Sequence, residues 1–454
     1  MMVIVYGCFF ACGLACIVLQ IIAQRTRTDP SIGNNPQFLK FQRSYFAVYL
    51  LAMFADWLQG PYLYKLYSYY NFEEDQIAIL YVFGFASTVI IGMWAPLAAD
   101  QFGRKKLCLS FTVLYSLSCF LKLSRSYGIL IIGRIIGGVA TSVLFSAFEA
   151  WYVHEHIETF DFPKEWISVT FSKASTWNGF LAVTAGLVTN IFAEWFDLGP
   201  VAPYMLAVPF LIFAGILVST HWSENYSGSK VKFKRACVDG WKGILSKEII
   251  FMVGVIEALF ESVIYIVIFL WTPVLQPLRP SLGIVFSSFM VCILSGQAVY
   301  QILSSRRFDT SNLLISACGI ALASNVFLVL STNPVNRKDL NCETSYVAFL
   351  LFEFAVGIYF PAMGNLRSKI IPEQHRWSIT NWFRVPINLI ACVVLMLLHE
   401  DEFRHGNRMI FVICTGLLML AVLCGVRFKK LAEKDESVQE ERTLMTSEHI
   451  HNIF

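Results

Sequence analysis

Residues 248–272 read EIIFMVGVIEALFESVIYIVIFLWT, an apolar run whose only interior charges are Glu257 and Glu261. A helix needs ~20 such residues to cross the ~30 Å hydrocarbon layer of a bilayer. A run this long, without alternation of apolar and polar positions, satisfies its backbone hydrogen bonds in lipid as a helix and not as a barrel strand. Twelve further stretches of the same kind surround it, at about 2–23, 44–66, 77–98, 107–124, 128–149, 167–194, 200–220, 282–303, 312–331, 344–365, 377–399 and 408–427. The separators are short and carry Pro, Gly, Asn and charges, as turns in water do. The chain has 454 residues, 56% hydrophobic and 15% charged, more apolar than the roughly 45–50% of soluble domains. The surplus is predicted to face lipid, and a net charge of +3 makes no case for nucleic acid.

The first stretch differs from a signal peptide: no Lys or Arg precedes it, and Arg25 and Arg27 follow it. It reads as an uncleaved anchor with its far end in the cytoplasm. With the N-terminus outside, the loops that then face the cytoplasm carry the large majority of Lys and Arg, as the positive-inside rule requires. The predicted organisation is an anchor and linker at 1–40, six helices at 41–221, a basic cytoplasmic loop at 222–247, six helices at 248–430 and a disordered cytoplasmic tail at 431–454. Two six-helix halves joined by a cytoplasmic loop is a parallel-repeat transporter plan.

The loop after the third stretch reads Asp100-Gln-Phe-Gly103-Arg104-Lys105-Lys106. It resembles the Asp-x-x-Gly-Arg-Lys/Arg signature of the major facilitator superfamily, in which Gly allows a tight turn and basic residues pair with an acid at a helix end. Asp100, Gly103, Arg104 and Lys105 are therefore expected to form a gate latch. Pro96 stands where the signature usually has Gly, and the second-half counterpart, Ser304-Ser305-Arg306-Arg307, has no acid. Arg134-Ile-Ile-Gly137-Gly138 is similar to the basic motif of the fourth core helix, with small residues that permit close helix contact. Arg134 is read as a packing or gating residue. Longer strings, ADWLQGPYLYKLY from Ala55, LFSAFEAWYVHEH from Leu144 and NWFRVP from Asn381 among them, resemble the eukaryotic molybdate-anion transporter family. The resemblance implies the major facilitator fold and molybdate uptake across the plasma membrane. It does not say which residues do it.

Those residues are sought among the ions in the apolar stretches, since a charge at mid-bilayer costs about 2.5–3.5 kcal/mol and turns toward a partner or a wet cavity. Asp56, Lys65, Arg134, Glu149, Lys173, Glu257, Glu261, Glu353 and Arg384 qualify, with Lys65 and Glu149 near helix ends. Lys173 and Arg384 each follow a Trp (Trp166, Trp377) by seven residues in corresponding helices of the two halves. Equal depth under a pseudo-twofold axis would bring them to one cavity, where they clamp a dianion with Asn178, Asn381, Ser172, Ser175 and Thr380 as neutral donors; Arg suits bidentate oxyanion contact. The other reading pairs each cation with Glu261, Glu353 or Asp56 as a helix brace. Asp56, Glu257, Glu261 and Glu353 are proton-carrier candidates. Glu257 and Glu261 lie four apart on one helical face, and neighbouring carboxylates in low dielectric tend to share a proton. A salt-bridge network with the cations is the alternative.

His154-Glu155-His156 could hold a metal or stand solvated, and Cys8, Cys12 and Cys16 form one stripe of the first stretch whose default is packing. Asn225-Tyr-Ser is a glycosylation sequon on the predicted cytoplasmic side, expected to be unused. No nucleophile-plus-base pair and no strong metal spacing points to an enzyme or a cofactor. The bilayer and a small anion are the expected partners. Two further readings stay open: another small anion such as sulfate or an organic carboxylate, and a receptor or scaffold of transporter shape.

Overall fold

The computed structural model describes residues 2–26, 35–226, 233–332, 340–372, 376–399 and 408–451. The described residues form fifteen α-helices and no strand. In chain order they are α1 (Met2–Thr26), α2 (Pro36–Gln59), α3 (Leu63–Tyr69), α4 (Glu74–Phe102), α5 (Arg104–Leu121), α6 (Tyr127–His154), α7 (Glu165–Asn190), α8 (Ala202–His221), α9 (Phe233–Ser246), α10 (Glu248–Leu275), α11 (Leu282–Ser305), α12 (Thr310–Ser331), α13 (Leu340–Ile370), α14 (Arg376–Met396) and α15 (Arg408–His451). Each apolar stretch expected from the sequence coincides with one long helix to within a few residues at its ends, apart from the second, whose end lies beyond α2, and the last, whose helix runs on to His451. Ten helices are long and apolar enough to cross a membrane. The other three long ones, α2, α5 and α7, carry more charged and polar side chains, Lys40, Arg43 and Asp56 in α2 for example.

Local chemistry sets the ends. Asn35 caps α2, its Oδ1 accepting from the N–H groups of Gln37 and Phe38 at 3.0 and 3.2 Å, with Pro36 as the first helical residue. Gly60 and Pro61 stop the same helix, so Lys65, expected in the second stretch, sits on the separate short helix α3. Asp309 caps α12 through Ser311 and Asn312. α6 and α7 each close in a π-turn, at Glu155–Thr159 and Ile191–Trp195. The composition of 431–454 predicts no structure, yet α15 continues to His451; its tail is rich in Glu, a good helix former.

The N-terminal half is built by α2 and α4–α8 and the C-terminal half by α10–α15, each through contacts within its own set. The halves meet along two seams, α7 on α11 and α4 on α14. At the first seam the backbones nearly touch: a Cβ on Gly283 would lie 2.3 Å from the Gly186 carbonyl oxygen, and Ser287 Oγ donates to the Val183 carbonyl at 2.9 Å. α1 lies along α11, with Gln20 Nε2 donating to the Leu294 carbonyl. Cys16 packs with Val291 and Leu294, and Val183 of α7 lies against this cluster, so the extra helix covers the seam. The Cys stripe is thus a packing face. Ile132, Phe213, Leu330, Leu389 and Leu423 are exposed, as lipid-facing side chains are. We call the two ends of the bundle the Met2 end and the linker end, the latter carrying α9.

The seam gives a stability prediction. Gly283→Val should destabilise the protein by about 1–3 kcal/mol through overpacking against backbone, read as a lower thermal midpoint in detergent. Gly319→Val, at a glycine with nothing within 4 Å of its would-be Cβ, should stay within about 0.5 kcal/mol.

Candidate functional site

A cavity of about 320 Å³ lies between the halves. Asp56, Lys122, Arg134 and Tyr115 line it from the N-terminal half, and Tyr265 of α10 and Asn388 of α14 from the other. Lys122 follows the last residue of α5 and is 4% exposed. Its Nζ donates to Gln59 Oε1 at 2.9 Å and to Ser118 Oγ at 3.3 Å, and stands 4.7 Å from the centre of the Tyr204 ring. All of these partners are neutral. A buried ammonium whose hydrogen-bond partners are all neutral is expensive, because neutral acceptors and rings replace only part of its lost hydration.

Arg134 is the second cation of the cavity. Its Nε donates to the Leu80 carbonyl at 3.1 Å, and the guanidinium lies 5.1 Å from the centre of the Tyr81 ring. Gly84 makes this placement possible, since a Cβ there would stand 2.3 Å from Nη2. Gly138 lets α6 approach α4 in the same layer, its would-be Cβ 2.0 Å from Ser87 Oγ. Asp56, the acid of this cavity, accepts a hydrogen bond from the Tyr115 hydroxyl.

The C-terminal half holds the other acids. Glu257, 2% exposed, forms an ion pair with Arg367, Nη1 to Oε1 2.8 Å, while its Oε2 is buried without a hydrogen-bond partner among the described residues. Glu261, one turn on, accepts from the Tyr359 hydroxyl at 3.3 Å. Glu353 is buried on α13. Arg384 is exposed on α14, and its charge acts on Glu257, Glu261 and, across the seam, Glu149 of α6. A Cβ on Gly92 of α4 would lie 3.9 Å from its Nη1. Arg384 therefore faces the space between the halves.

The expected partners of Arg384 are arranged differently from the symmetric clamp. Lys173 is half-buried on α7, and no ion pair joins it to an acid among the described residues. Asn178 is committed to the N-terminal half, accepting from Trp57 Nε1 at 2.7 Å. Asn381 is buried with an unpartnered Nδ2, and Asn388, one turn after Arg384, donates to the Arg384 carbonyl at 2.9 Å. Two charges of the region, Lys122 and Arg367, escape a reading by hydropathy. Lys122 lies at the very end of the 107–124 stretch and Arg367 just beyond the 344–365 stretch, whereas burial of the C-cap of α5 and the extension of α13 to Ile370 carry them inside.

At the linker end, Gly103 has φ +100 and opens α5. The Glu224 carboxylate accepts from the Lys105 and Lys106 N–H groups at 2.9 and 3.2 Å, and Lys105 Nζ donates to the Ser219 carbonyl. Arg104 is buried, its N–H donating to the Asn225 carbonyl, and Asn225 Nδ2 donates to Glu155 Oε1 at 2.9 Å. The basic turn is thus tied to the end of α8 and the π-turn after α6; the Asp100 side chain lies outside the described residues. Asn225, of the sequon, is 4% exposed. His156 is buried, its ring nitrogens on Tyr152 and the Pro163 carbonyl, so it is a packed histidine.

The family profile described as "Sugar-transporters, 12 TM" matches residues 4–347. The molybdate-anion transporter of Xenopus tropicalis is 44% identical over 414 residues, 91% of each chain, and that of Danio rerio 41% identical over 476 residues, 97% of this chain and 98% of its own. Among solved structures, a mutant of the nucleoside transporter NupG superposes with a TM-score of 0.68 at 11% identity, covering 85% of this chain and 99% of that one. The D-xylose–proton symporter gives 0.64 at 16%, covering 84% and 97%. The fold is that of the major facilitator superfamily, and the chain belongs to the family that includes the vertebrate molybdate-anion transporters.

Proposed function

We propose that this protein is a secondary transporter that carries molybdate across a membrane by alternating access, with the anion seated in the cavity between the halves. The observation that carries this reading is the pair of buried Lys122 and half-buried Arg134, which face that cavity against one acid, Asp56, already engaged by Tyr115. A tetrahedral dianion supplies the missing counter-charge and accepts the hydrogen bonds that ammonium and guanidinium donate. The names of the vertebrate relatives support molybdate as the cargo. Arg384 and Lys173 would take the anion when the halves part toward the linker end, with Asn381 as a neutral donor and the turn at Gly103, Arg104, Lys105 and Asp100 as the latch. The loop charges favour an N-terminus outside and a C-terminus in the cytoplasm, and the resemblance to the molybdate-anion transporters favours the plasma membrane.

Uptake into a cell that is negative inside needs a driving ion. Each charge moved against 100 mV costs about 2.3 kcal/mol, so a dianion meets about 4.6 kcal/mol, more than a thousandfold in concentration. Glu257, Glu261, Glu353 and Asp56 are the groups that would carry compensating protons, and the two on α10 share one face with Arg367 beside them.

Reconstituted vesicles test the reading. Molybdate uptake should fall about 10- to 100-fold in Lys122→Gln and in Arg134→Gln, the loss expected for one charged hydrogen-bond donor, and less in Lys173→Ala and Arg384→Ala. Uptake unaffected by Lys122→Gln and Arg134→Gln together would remove the seat, and uptake of sulfate in preference to molybdate would move the protein to another anion. An inward proton gradient should accelerate uptake, and Glu261→Gln should abolish that acceleration while leaving molybdate exchange at equal pH. Insensitivity of the unsubstituted protein to a collapsed pH gradient would remove the proton assignment.

A further inference from the structure

A second cavity, of about 740 Å³, opens at the Met2 end. Both halves wall it: Tyr62, Lys65 and Glu194 from one, Arg279 and Leu282 from the other. Its floor is a tie between the halves. One oxygen of Glu194, Oε1, accepts from the Tyr62 hydroxyl at 2.9 Å and from the Leu282 N–H at 3.0 Å, the latter the first N–H of α11. The π-turn at the end of α7 carries Glu194 to this position, directly above the Gly186–Gly283 contact.

The donor set is one that recognises anions. A phenol hydroxyl and a helix-terminal N–H both donate toward this point, and a tethered carboxylate already accepts from them. Two cations line the same cavity, Lys65 from α3 and Arg279 from the turn before α11, and neither forms an ion pair among the described residues. Arg279 has φ +45, in the left-handed region, within the tight turn that links α10 to α11. Asp197, exposed on the rim, is the other acid of this mouth.

We infer that this vestibule is an oxyanion-binding site separate from the central cavity, in which a small tetrahedral anion held by Lys65 and Arg279 competes with Glu194 for the Tyr62 and Leu282 donors and so unties the halves. The inference rests on the transport reading for its link to molybdate, but the site itself takes any small oxyanion of that shape. The anion and the Glu194 carboxylate repel each other and cannot both hold the two donors, so occupancy of the vestibule opens the tie.

Equilibrium binding of labelled molybdate to the full chain in lipid nanodiscs tests it. The unsubstituted protein should bind two anions per chain, and Lys65→Gln/Arg279→Gln should bind one. Glu194→Gln, which removes the competing charge and keeps the side-chain shape, should tighten the weaker site about tenfold, an effect opposite in sign to a loss of structure. One anion per chain in the unsubstituted protein, or a stoichiometry and affinity unmoved by Lys65→Gln/Arg279→Gln, would overturn the inference. If the vesicles take up no molybdate, the transport reading fails by itself, and sulfate as the probe scores the vestibule by the same two variants.

Discussion

The structure turns on the cost of a positive charge buried in a membrane bundle with no ion pair among the described residues. Lys122 is surrounded by Gln59, Ser118 and Tyr204, all neutral. Neutral acceptors and an aromatic face soften the loss of hydration but do not cancel it. A group in that condition is stable only if the surrounding helices hold it there, and useful only if something negative visits. The close packing of α4 on α6 at Gly84 and Gly138, with Arg134 folded against Gly84, provides the rigid wall.

The two halves handle their charges differently. On the N-terminal side, cations face the cavity and the acid Asp56 is held by a tyrosine. In the C-terminal half the acids dominate α10, with Arg367 bonded to one of them and Arg384 acting on both across a longer distance. Pseudo-symmetry of the backbone therefore does not extend to the chemistry. Lys173 and Arg384 stand at matching positions in sequence, yet Arg384 faces the seam while Lys173 joins no acid. The same asymmetry appears in the seams: α7 and α11 meet through bare glycine backbone and the Glu194 tie, whereas α4 and α14 meet where Gly92 faces Arg384. Tight backbone contact can separate only as a unit, which suits a rocking of two rigid halves.

Most of the architecture could be read from the chain. Long apolar runs can only be helices in lipid, and their spacing and loop charges divide the chain into an anchor and two sixes; the superfamily signature and the longer strings then name the family. The interior acids Glu257 and Glu261 were legible too, because two carboxylates in a run such as EIIFMVGVIEALFESVIYIVIFLWT have no inexpensive place except an interior.

What hydropathy could not reach lies at the margins of those runs. Lys122 ends one apolar run and Arg367 lies just past another, and only the packing of α5 against α8 and the extra turns of α13 enclose them. Glu224 and Glu194 are anonymous acids between helices until the fold brings one to the start of α5 and the other to the start of α11. Helix formation depends on neighbours a few residues apart and is written locally in the chain. The partner of a buried charge depends on which helices touch, a matter of contacts between residues distant in sequence, and the tertiary structure alone decides it.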